Sequence, residues 1–283
     1  MSGTLGLETK PSMSRPTQVP DSWSAVRRHT EARVALGRAG GSLPTAQVLE
    51  FGIAHAAARD AVNAAFDVES LVTGLNSIGL PHLMLATMAH NRETYLRRPD
   101  LGRRLDEPSR TALRAVEGSG WDVALIVADG LSPAAAASQV IGFLRELLPM
   151  LRAGNLSVAP HCIVRHGRVA VEDEIGSLLG VKVAVILIGE RPGLAAAESL
   201  GAYLVFDPRP GRTDAERNCV SNIRPGGLGV AAAAATIRYL ITESLRRGLS
   251  GVMLKDQRTS LPASSSAATL VPTPLNDSGY PAG

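Results

Sequence analysis

Three polar segments of this sequence are candidates for ligand binding, because each follows a short apolar run directly. They are the segments 129–132 (DGLS), 190–193 (ERPG) and 207–227, the last of which contains Cys219. If the apolar runs are parallel strands, these segments lie beyond the carboxyl ends of the strands, where such sheets bind ligands. The sequence therefore predicts a binding site at one edge of a sheet.

The pair of Glu190 and Arg191 is the most informative of these candidates. It follows VKVAVILIG at 181–189, the most strand-like run of the chain, and Pro192 and Gly193 then set a turn that lets another molecule approach the backbone. The alternative is a surface ion pair after a buried strand, which the composition allows equally well. The residues alone leave both interpretations open.

Cys219 lies in the polar run RTDAERNCVSNIRPGG, where a thiol could face a ligand. Packing in the interior is the more frequent fate of a cysteine and is the alternative. Cys162 is the other cysteine, and no Cys-x-x-Cys or Cys–His spacing occurs, so neither a disulfide framework nor a metal site is predicted. We expect a reducing, cytoplasmic setting.

The sequence indicates no nucleophile–base pair. Its six histidines are dispersed, and it contains neither a Gly-x-Ser-x-Gly elbow nor a phosphate-binding P-loop. We therefore assign no catalytic residue. The chain is expected to be a ligand-binding module or one subunit of a larger enzyme.

The string GLGVAA at 227–232 matches the dinucleotide-binding pattern G-x-G-x-x-A. Its context does not fit, because it follows the loop SNIRPG instead of a strand. In addition, no acidic residue ends a following strand about 20 positions later, where a ribose would need it. We favour glycines that permit a tight start of a helix, and keep nucleotide binding as the alternative.

The elements that must position these residues alternate between strands and helices. Apolar runs predict strands at 122–128, 157–165, 181–189 and 201–207, and helical spacing predicts helices at 45–65, 133–154, 170–179 and 228–247. This order is typical of an α/β fold with a mostly parallel sheet flanked by helices. The first 115 residues are expected to be helical and irregular, with 89–106 as a loop or short helix.

Both ends of the chain differ in composition from the block between them. The segments 1–21 and 257–283 are rich in small polar residues and proline, and 257–283 contains only two charged residues, so we predict disordered tails. No basic start followed by an apolar run marks a secretory signal. No stretch reaches the roughly 20 apolar residues of a membrane helix.

The charged residues exclude some partners and suggest another. The 29 basic and 26 acidic residues leave a formal charge of +3, too small to indicate a nucleic-acid or anionic-membrane partner. All but three of the basic residues are arginines, and four of them, Arg97, Arg98, Arg103 and Arg104, surround a Pro-Asp and a Gly. These four form either a solvated surface or an interface with an acidic partner.

Several strings together make the chain recognisable. They are ARVALGRAG (32–40), YLRRPDLGRRL (95–105), VADGLS (127–132), GRVAVEDEIGSLLG (167–180), GERPGL (189–194), ERNCVSNIRP (216–225) and LSGVMLKD (249–256). In this order and spacing they resemble the small subunit of ethanolamine ammonia-lyase over about residues 25–256. GERPGL and ERNCVSNIRP are the most specific strings.

The resemblance implies a Rossmann-like domain at 116–256, preceded by the helical N-terminal region at 22–115. It also implies a large barrel subunit as partner and adenosylcobalamin as cofactor. The complex would convert ethanolamine to acetaldehyde and ammonia by a radical route, with the substrate bound mainly by the large subunit. The positions that contact cobalamin in this family correspond here to Val169, Glu190 and Cys219.

Three further expectations follow from the resemblance. The Asp-x-His-x-x-Gly string of base-off cobalamin binders is missing, so the cofactor should keep its own dimethylbenzimidazole on cobalt. The arginine turn at 97–104 becomes a candidate for docking on the large subunit. A bacterial microcompartment is a further setting besides the cytoplasm. A stand-alone Rossmann-like nucleotide-binding or regulatory module remains the alternative function.

Overall fold

The computed structural model describes residues 21, 23–116, 118 and 120–258. Its strands are β1 His82–Ala86, β2 Val123–Ala128, β3 His161–Arg165, β4 Val183–Gly189, β5 Leu200–Phe206 and β6 Arg217–Ile223. They form one sheet in the order β1-β3-β2-β4-β5-β6. β1 to β4 run parallel to one another, and β5 is antiparallel to both β4 and β6. The α/β class is confirmed, with a sheet that is mixed at one end.

Helices cover both faces of this sheet. They are α1 Thr45–Asn63, α2 Val68–Ser77, α3 Arg92–Arg97, α4 Glu107–Arg114, α5 Pro133–Ala153, α6 Val171–Leu179 and α7 Val230–Arg247. One hydrophobic cluster joins the sheet to α2, α5 and α7, and a second joins the other face to α4 and α6. Because both faces are covered, every residue of β2 and β4 is buried, which explains their unbroken apolar sequences.

The four predicted strands and the four predicted helices are all found, with bounds shifted by a few residues. The stretch 89–106 contains the short helix α3 and a 3₁₀ turn over Leu101–Arg103, as expected. One detail differs. Thr45 is of a residue type that favours the N-cap position, but it is the first residue of α1 and Pro44 takes that position.

Two strands were not predicted. β1 lies in the region expected to be helical and irregular, and only Leu85 of its five residues is buried, because it is an edge strand. β6 lies in the segment interpreted as a polar loop, so Cys219 is on a strand and not in a loop. The polar sequence of β6 gives no signal of a buried strand. Its residue Arg217 can be buried because it forms ion pairs with carboxylates of α6.

The path of the chain reverses at β2. From β2 it passes through α5 to β3 on one side, and from β3 through α6 to β4 on the other side of β2. α5 and α6 lie on opposite faces of the sheet, so the two connections diverge and leave a crevice. Open α/β sheets bind ligands at this kind of point, beyond the carboxyl ends of the two central strands.

The two predicted tails lie outside the described residues, except for Asp21, Gln257 and Arg258. Within the described ranges, every helix is too short or too polar to cross a bilayer. The boundary between an N-terminal region and a second domain at residue 116 stays a prediction. β1 from the first part pairs along its whole length with β3 of the second.

Candidate functional site

A cleft of about 410 Å³ opens at the crevice between the ends of β2 and β4. Its lining consists of Tyr95, Gly130, Leu131, Arg168, Val169, Ile188, Gly189, Glu190, Arg191 and Tyr203. Two of the three positions taken from the family resemblance, Val169 and Glu190, are therefore brought together in one cleft. Two of the three strand-end segments, 129–132 and 190–193, also contribute to it.

The floor of the cleft is made by two backbone segments in van der Waals contact. Gly130 has a φ of +58°, and a Cβ atom there would lie 2.2 Å from the carbonyl oxygen of Gly189. A Cβ atom on Gly189 would lie 2.0 Å from the carbonyl oxygen of Ser132. The N–H of Leu131 donates to the Gly189 carbonyl at 2.9 Å. Only glycine fits at both positions, because a side chain on either would overlap the opposite backbone segment.

Glu190 lies where β4 ends, and its carboxylate is fixed by the residue that precedes β5 and by a residue of β6. Oε2 accepts a hydrogen bond from the Ser199 hydroxyl at 2.6 Å and one from the N–H of Asn222 at 3.2 Å. Within the described chain, Oε1 accepts none, which leaves it available to a ligand. The alternative of a surface ion pair is not found, since no nitrogen of Arg191 lies within 4.0 Å of this carboxylate.

Val169 is half-buried in the loop between β3 and α6. The preceding residue fixes this loop, because the N–H of Arg168 donates to the Gly102 carbonyl at 2.7 Å. The guanidinium of Arg168 stacks on the ring of Tyr95 at 4.1 Å and donates to the Tyr95 carbonyl at 3.0 Å. Val169 therefore presents a small apolar surface on a loop that is held in place.

Cys219 lies beside the cleft and does not line it. It faces Tyr203 directly across the β5–β6 pair, and the ring of Tyr203 forms part of the cleft wall. The thiol is exposed, whereas that of Cys162 is buried and burial raises its pKa to about 12. Partial burial and the nearby Glu190 also raise the pKa of Cys219. The thiol is thus accessible and protonated near neutral pH.

Tyr95 is a cleft residue that the sequence analysis did not identify. It is fully buried, and its ring lies between the guanidinium groups of Arg168 and Arg92, the latter at 4.8 Å. Its hydroxyl has no hydrogen-bond partner in the part of the chain that the structure describes. Burial raises its pKa to about 12, so the hydroxyl stays a protonated donor without a protein acceptor.

Asp129 and Arg92 support the cleft from within. Oδ1 of Asp129 accepts hydrogen bonds from the N–H groups of Gly130 and Gly167 at 3.0 and 3.2 Å. Nη1 of Arg92 lies 3.6 Å from Oδ2 of Asp129 and donates to the Gly130 carbonyl at 2.7 Å. Burial raises the pKa of Asp129, while His166 and Arg92 oppose this effect. These contacts tie the loops after β2 and β3 to α3.

A buried ionic cluster holds β6 against α6. Nη1 of Arg217 donates to Oε1 of Glu172 at 2.8 Å and to Oδ1 of Asp173 at 2.7 Å, and Nη2 donates to Oδ2 of Asp173 at 2.6 Å. Burial raises the pKa of Glu172 to about 8 against the attraction of Arg217, and Oε2 of Glu172 has no partner among the described residues. The cluster sets the position of the strand that carries Cys219.

The four arginines of the predicted docking turn divide into two pairs. Arg97 contacts Glu93 at 3.2 Å, and Arg98 donates to both oxygens of Asp100. Within the described chain, Arg103 and Arg104 have no carboxylate within 4.0 Å. Only the second pair therefore keeps an uncompensated charge, and docking on a partner stays a prediction for that pair.

The string GLGVAA has a different context from the one expected. β6 ends four residues before Gly227, so a strand does precede it, but this strand is antiparallel to its neighbour and lies at the edge of the sheet. In the described chain, no strand follows α7. A Cβ atom on Gly227 would lie 2.5 Å from the carbonyl oxygen of Asn222, so this glycine serves a close backbone contact.

Five of the lining residues were not identified from the sequence, and these are Tyr95, Arg168, Ile188, Gly189 and Tyr203. Arg168 could have been identified from the sequence, since it precedes Val169 in the string GRVAVED. Gly189 directly precedes the segment that was identified. Tyr95 and Tyr203 gave no signal, since one lies in a polar helical stretch and the other lies within the apolar, mostly buried sequence of β5. Only the packing of α3 and β5 around the ends of β2 and β4 places their rings in the cleft.

Comparison with known proteins gives a consistent result. The family described as Ethanolamine ammonia-lyase light chain (EutC) matches residues 20–255. The chain is 54% identical over 238 residues to the ethanolamine ammonia-lyase small subunit of Azotobacter vinelandii, which covers 83% of this chain and 88% of the relative. It is 51% identical over 243 residues to that of Ralstonia nicotianae, covering 85% and 89%. It is 49% identical over 244 residues to that of Rhodopseudomonas palustris, covering 86% and 94%.

Proposed function

This chain belongs to the ethanolamine ammonia-lyase light-chain family, and we propose from that premise that it is the small subunit of an adenosylcobalamin-dependent enzyme. Together with a large barrel subunit it would convert ethanolamine to acetaldehyde and ammonia. The observation that carries the proposal is that Val169 and Glu190, on the loops before α6 and after β4, line one cleft at the reversal point of the sheet. Residues 116–256 would serve as the Rossmann-like domain of the family.

The residues of the cleft fit one side of a corrin. A corrin is broad and mostly apolar, and its rim carries amide side chains. Leu131, Val169 and the ring of Tyr203 supply apolar surface, while Oε1 of Glu190 supplies an acceptor for an amide N–H. Cys219 adds a small exposed group beside Tyr203. We assign Val169, Glu190 and Cys219 to cofactor binding on this basis.

In the reaction, this chain would bind the cofactor and orient it. When bound, the cofactor supplies the radical chemistry. Glu190 would fix the rotation of the cofactor, because its carboxylate is itself held by Ser199 and Asn222. The apolar residues would exclude water from the covered side. As the family resemblance implies, we assign substrate binding mainly to the large subunit.

The partner and setting follow from the same proposal. A small subunit requires a large one, and we propose that the chain is active only in that complex, in the cytoplasm or within a bacterial microcompartment. The expectation of a base-on cofactor remains part of the proposal. No observation favours a stand-alone nucleotide-binding module, since the surroundings of GLGVAA do not form a βαβ unit in the described chain.

A reconstitution experiment tests the proposal. The full chain is mixed with the large subunit of the Azotobacter vinelandii enzyme, adenosylcobalamin and ethanolamine, and acetaldehyde is measured. Acetaldehyde that depends on this chain is the expected result. The positive control uses the small subunit of the Azotobacter vinelandii enzyme in place of this chain, which shows that the large subunit can form an active complex. Absence of product in that competent system would contradict the proposal.

A further inference from the structure

A second cleft, of about 450 Å³, adjoins the first and shares Arg168 and Val169 with it. Its other charged lining residues are Arg103, Arg212 and Asp214. The two clefts therefore meet at the loop between β3 and α6. A ligand that lies against Val169 could extend from the apolar cleft into one that is rich in arginine.

The charges in this second cleft do not cancel. Arg212 is neutralised, because it contacts the carboxylates of Asp207 and Glu216. The carboxylate of Asp214 is fully exposed and lies 3.8 Å from Nε of Arg217. Arg103 and Arg168 have no carboxylate within 4.0 Å in the described chain. Two cations are thus left without a counter-charge next to the proposed cofactor site.

Arg168 is positioned by close packing, next to the turn that carries Arg103. The carbonyl of Gly102 accepts a hydrogen bond from the N–H of Arg168 at 2.7 Å, and a Cβ atom on Gly102 would lie 2.8 Å from Cγ of Arg168. Arg103 follows in the same 3₁₀ turn. The Arg168 guanidinium is held on the Tyr95 ring. A preorganised guanidinium loses little freedom on binding, which favours a phosphate or carboxylate ligand.

We propose that Arg103 and Arg168 bind the phosphodiester of the cobalamin nucleotide loop. The inference rests on the proposed function. The phosphodiester is the one group of cobalamin that carries a permanent negative charge on its periphery, and it is joined to the corrin by a flexible arm. A corrin in the first cleft would place this arm beside Val169, where the two clefts meet. A docked acidic side chain of the large subunit is the competing occupant.

Comparison of two ligands separates these possibilities. Cobinamide has the same corrin as cobalamin but lacks the nucleotide loop and its phosphodiester. The complex of the full chain with the large subunit is titrated with cyanocobalamin and with cobinamide by calorimetry. Arg103→Ala and Arg168→Gln are each expected to raise the dissociation constant for cobalamin about tenfold, the effect of losing one charge-assisted hydrogen bond. The constant for cobinamide should change by less than about twofold in Arg103→Ala. In Arg168→Gln it should increase less than the constant for cobalamin does, because Arg168 also lines the first cleft.

Arg246→Ala is the matched control, because Arg246 is an exposed arginine on α7, on the opposite face of the sheet. It should alter neither constant. Equal losses for both ligands, in variants that retain the wild-type Tm, would overturn the assignment. Weaker assembly with the large subunit, with an unchanged ratio of the two dissociation constants, would also overturn it. That result would indicate that an acidic side chain of the large subunit binds to these arginines. A wild-type complex that binds neither ligand would instead overturn the proposed function, and the inference with it.

Discussion

The hydroxyl of Ser199 donates a 2.6 Å hydrogen bond to Oε2 of Glu190, and this contact joins the end of β4 to the start of β5. The same oxygen accepts the N–H of Asn222 from β6. One carboxylate thus links three strands, and its second oxygen is left for a ligand. A side chain held in this way can orient a ligand without first losing conformational freedom.

Glu190→Ala should weaken cobalamin binding to the complex. It removes the acceptor oxygen and also the link between the strands, so we expect the dissociation constant to increase about tenfold or more. Glu190→Gln keeps the shape and should cause a smaller increase. Equilibrium dialysis gives the constants. Glu198→Gln, in the same loop but exposed and outside the cleft, is the control, and unaltered affinity in Glu190→Ala would remove Glu190 from the site.

Cys219 should react with a thiol reagent, and bound cobalamin should protect it. Its thiol is exposed, whereas that of Cys162 is buried with a pKa of about 12. Alkylation followed by mass spectrometry should modify Cys219 alone in the native protein, at a rate that rises with pH because its pKa is raised. Cys219→Ser should abolish the modification. Equal rates with and without cobalamin in the complex would place Cys219 outside the contact.

Glu172 should make the protein less stable as the pH rises. Its ordinary pKa is 4.5 and burial raises it to about 8 in the folded chain. Between these values only the folded chain binds the proton, so the free energy of unfolding falls with increasing pH and levels off above about pH 8. Arg217 faces two buried carboxylates, and a proton on Glu172 makes this buried group of three side chains neutral. The carboxylate of Asp214, also near Arg217, is fully exposed to water.

Glu172→Gln isolates this effect, because glutamine resembles the protonated acid. The variant should have nearly the same Tm as the wild type at about pH 5 and a higher Tm at about pH 9. Thermal unfolding followed by circular dichroism measures both. A Tm difference that does not change between the two pH values would show that Glu172 is ionised throughout.

Gly189→Ala should destabilise the protein and disturb the cleft. The new methyl group would overlap the carbonyl oxygens of Ser132 and Asp129, and overpacking of this kind costs about 1–3 kcal/mol. Gly52→Ala is the matched control, because Gly52 lies in α1 with no atom within 4 Å of the added carbon. That change should leave stability equal or raise it by up to about 1 kcal/mol. Urea unfolding gives the free energy of unfolding of both variants. An unchanged value for Gly189→Ala would contradict the close contact of Gly189 with the backbone of Ser132 and Asp129.

Arg104→Glu should weaken association with the large subunit. Arg104 is exposed and has no carboxylate within 4.0 Å in the described chain, so its charge is available to an acidic partner. Arg97→Glu is the control, because Glu93 already compensates Arg97. Sedimentation velocity should show a reduced fraction of complex for the first variant only. Equal fractions would indicate that Arg104 belongs to a solvated surface.

The central strands were predictable from sequence for a physical reason. β2 and β4 are buried on both faces, so their residues must be apolar without interruption, and such runs are visible in a single sequence. The strand-end rule then indicated Glu190 correctly as a cleft residue. The sequence could not show that Glu190 bonds to Ser199 and Asn222 instead of pairing with Arg191, because that choice depends on the antiparallel turn to β5.

Tertiary structure decided the rest. β6 is polar because the charge of Arg217 is balanced by Glu172 and Asp173, which lie more than 40 residues away. No local pattern can reveal such a strand. In the same way, Val169 and Tyr203 meet in one cleft only because the chain reverses at β2. The sequence by itself determined the family, the class of fold and the central strands, since these follow from motifs and hydropathy. The composition of the cleft depended on contacts between distant segments, which only the folded chain brings together.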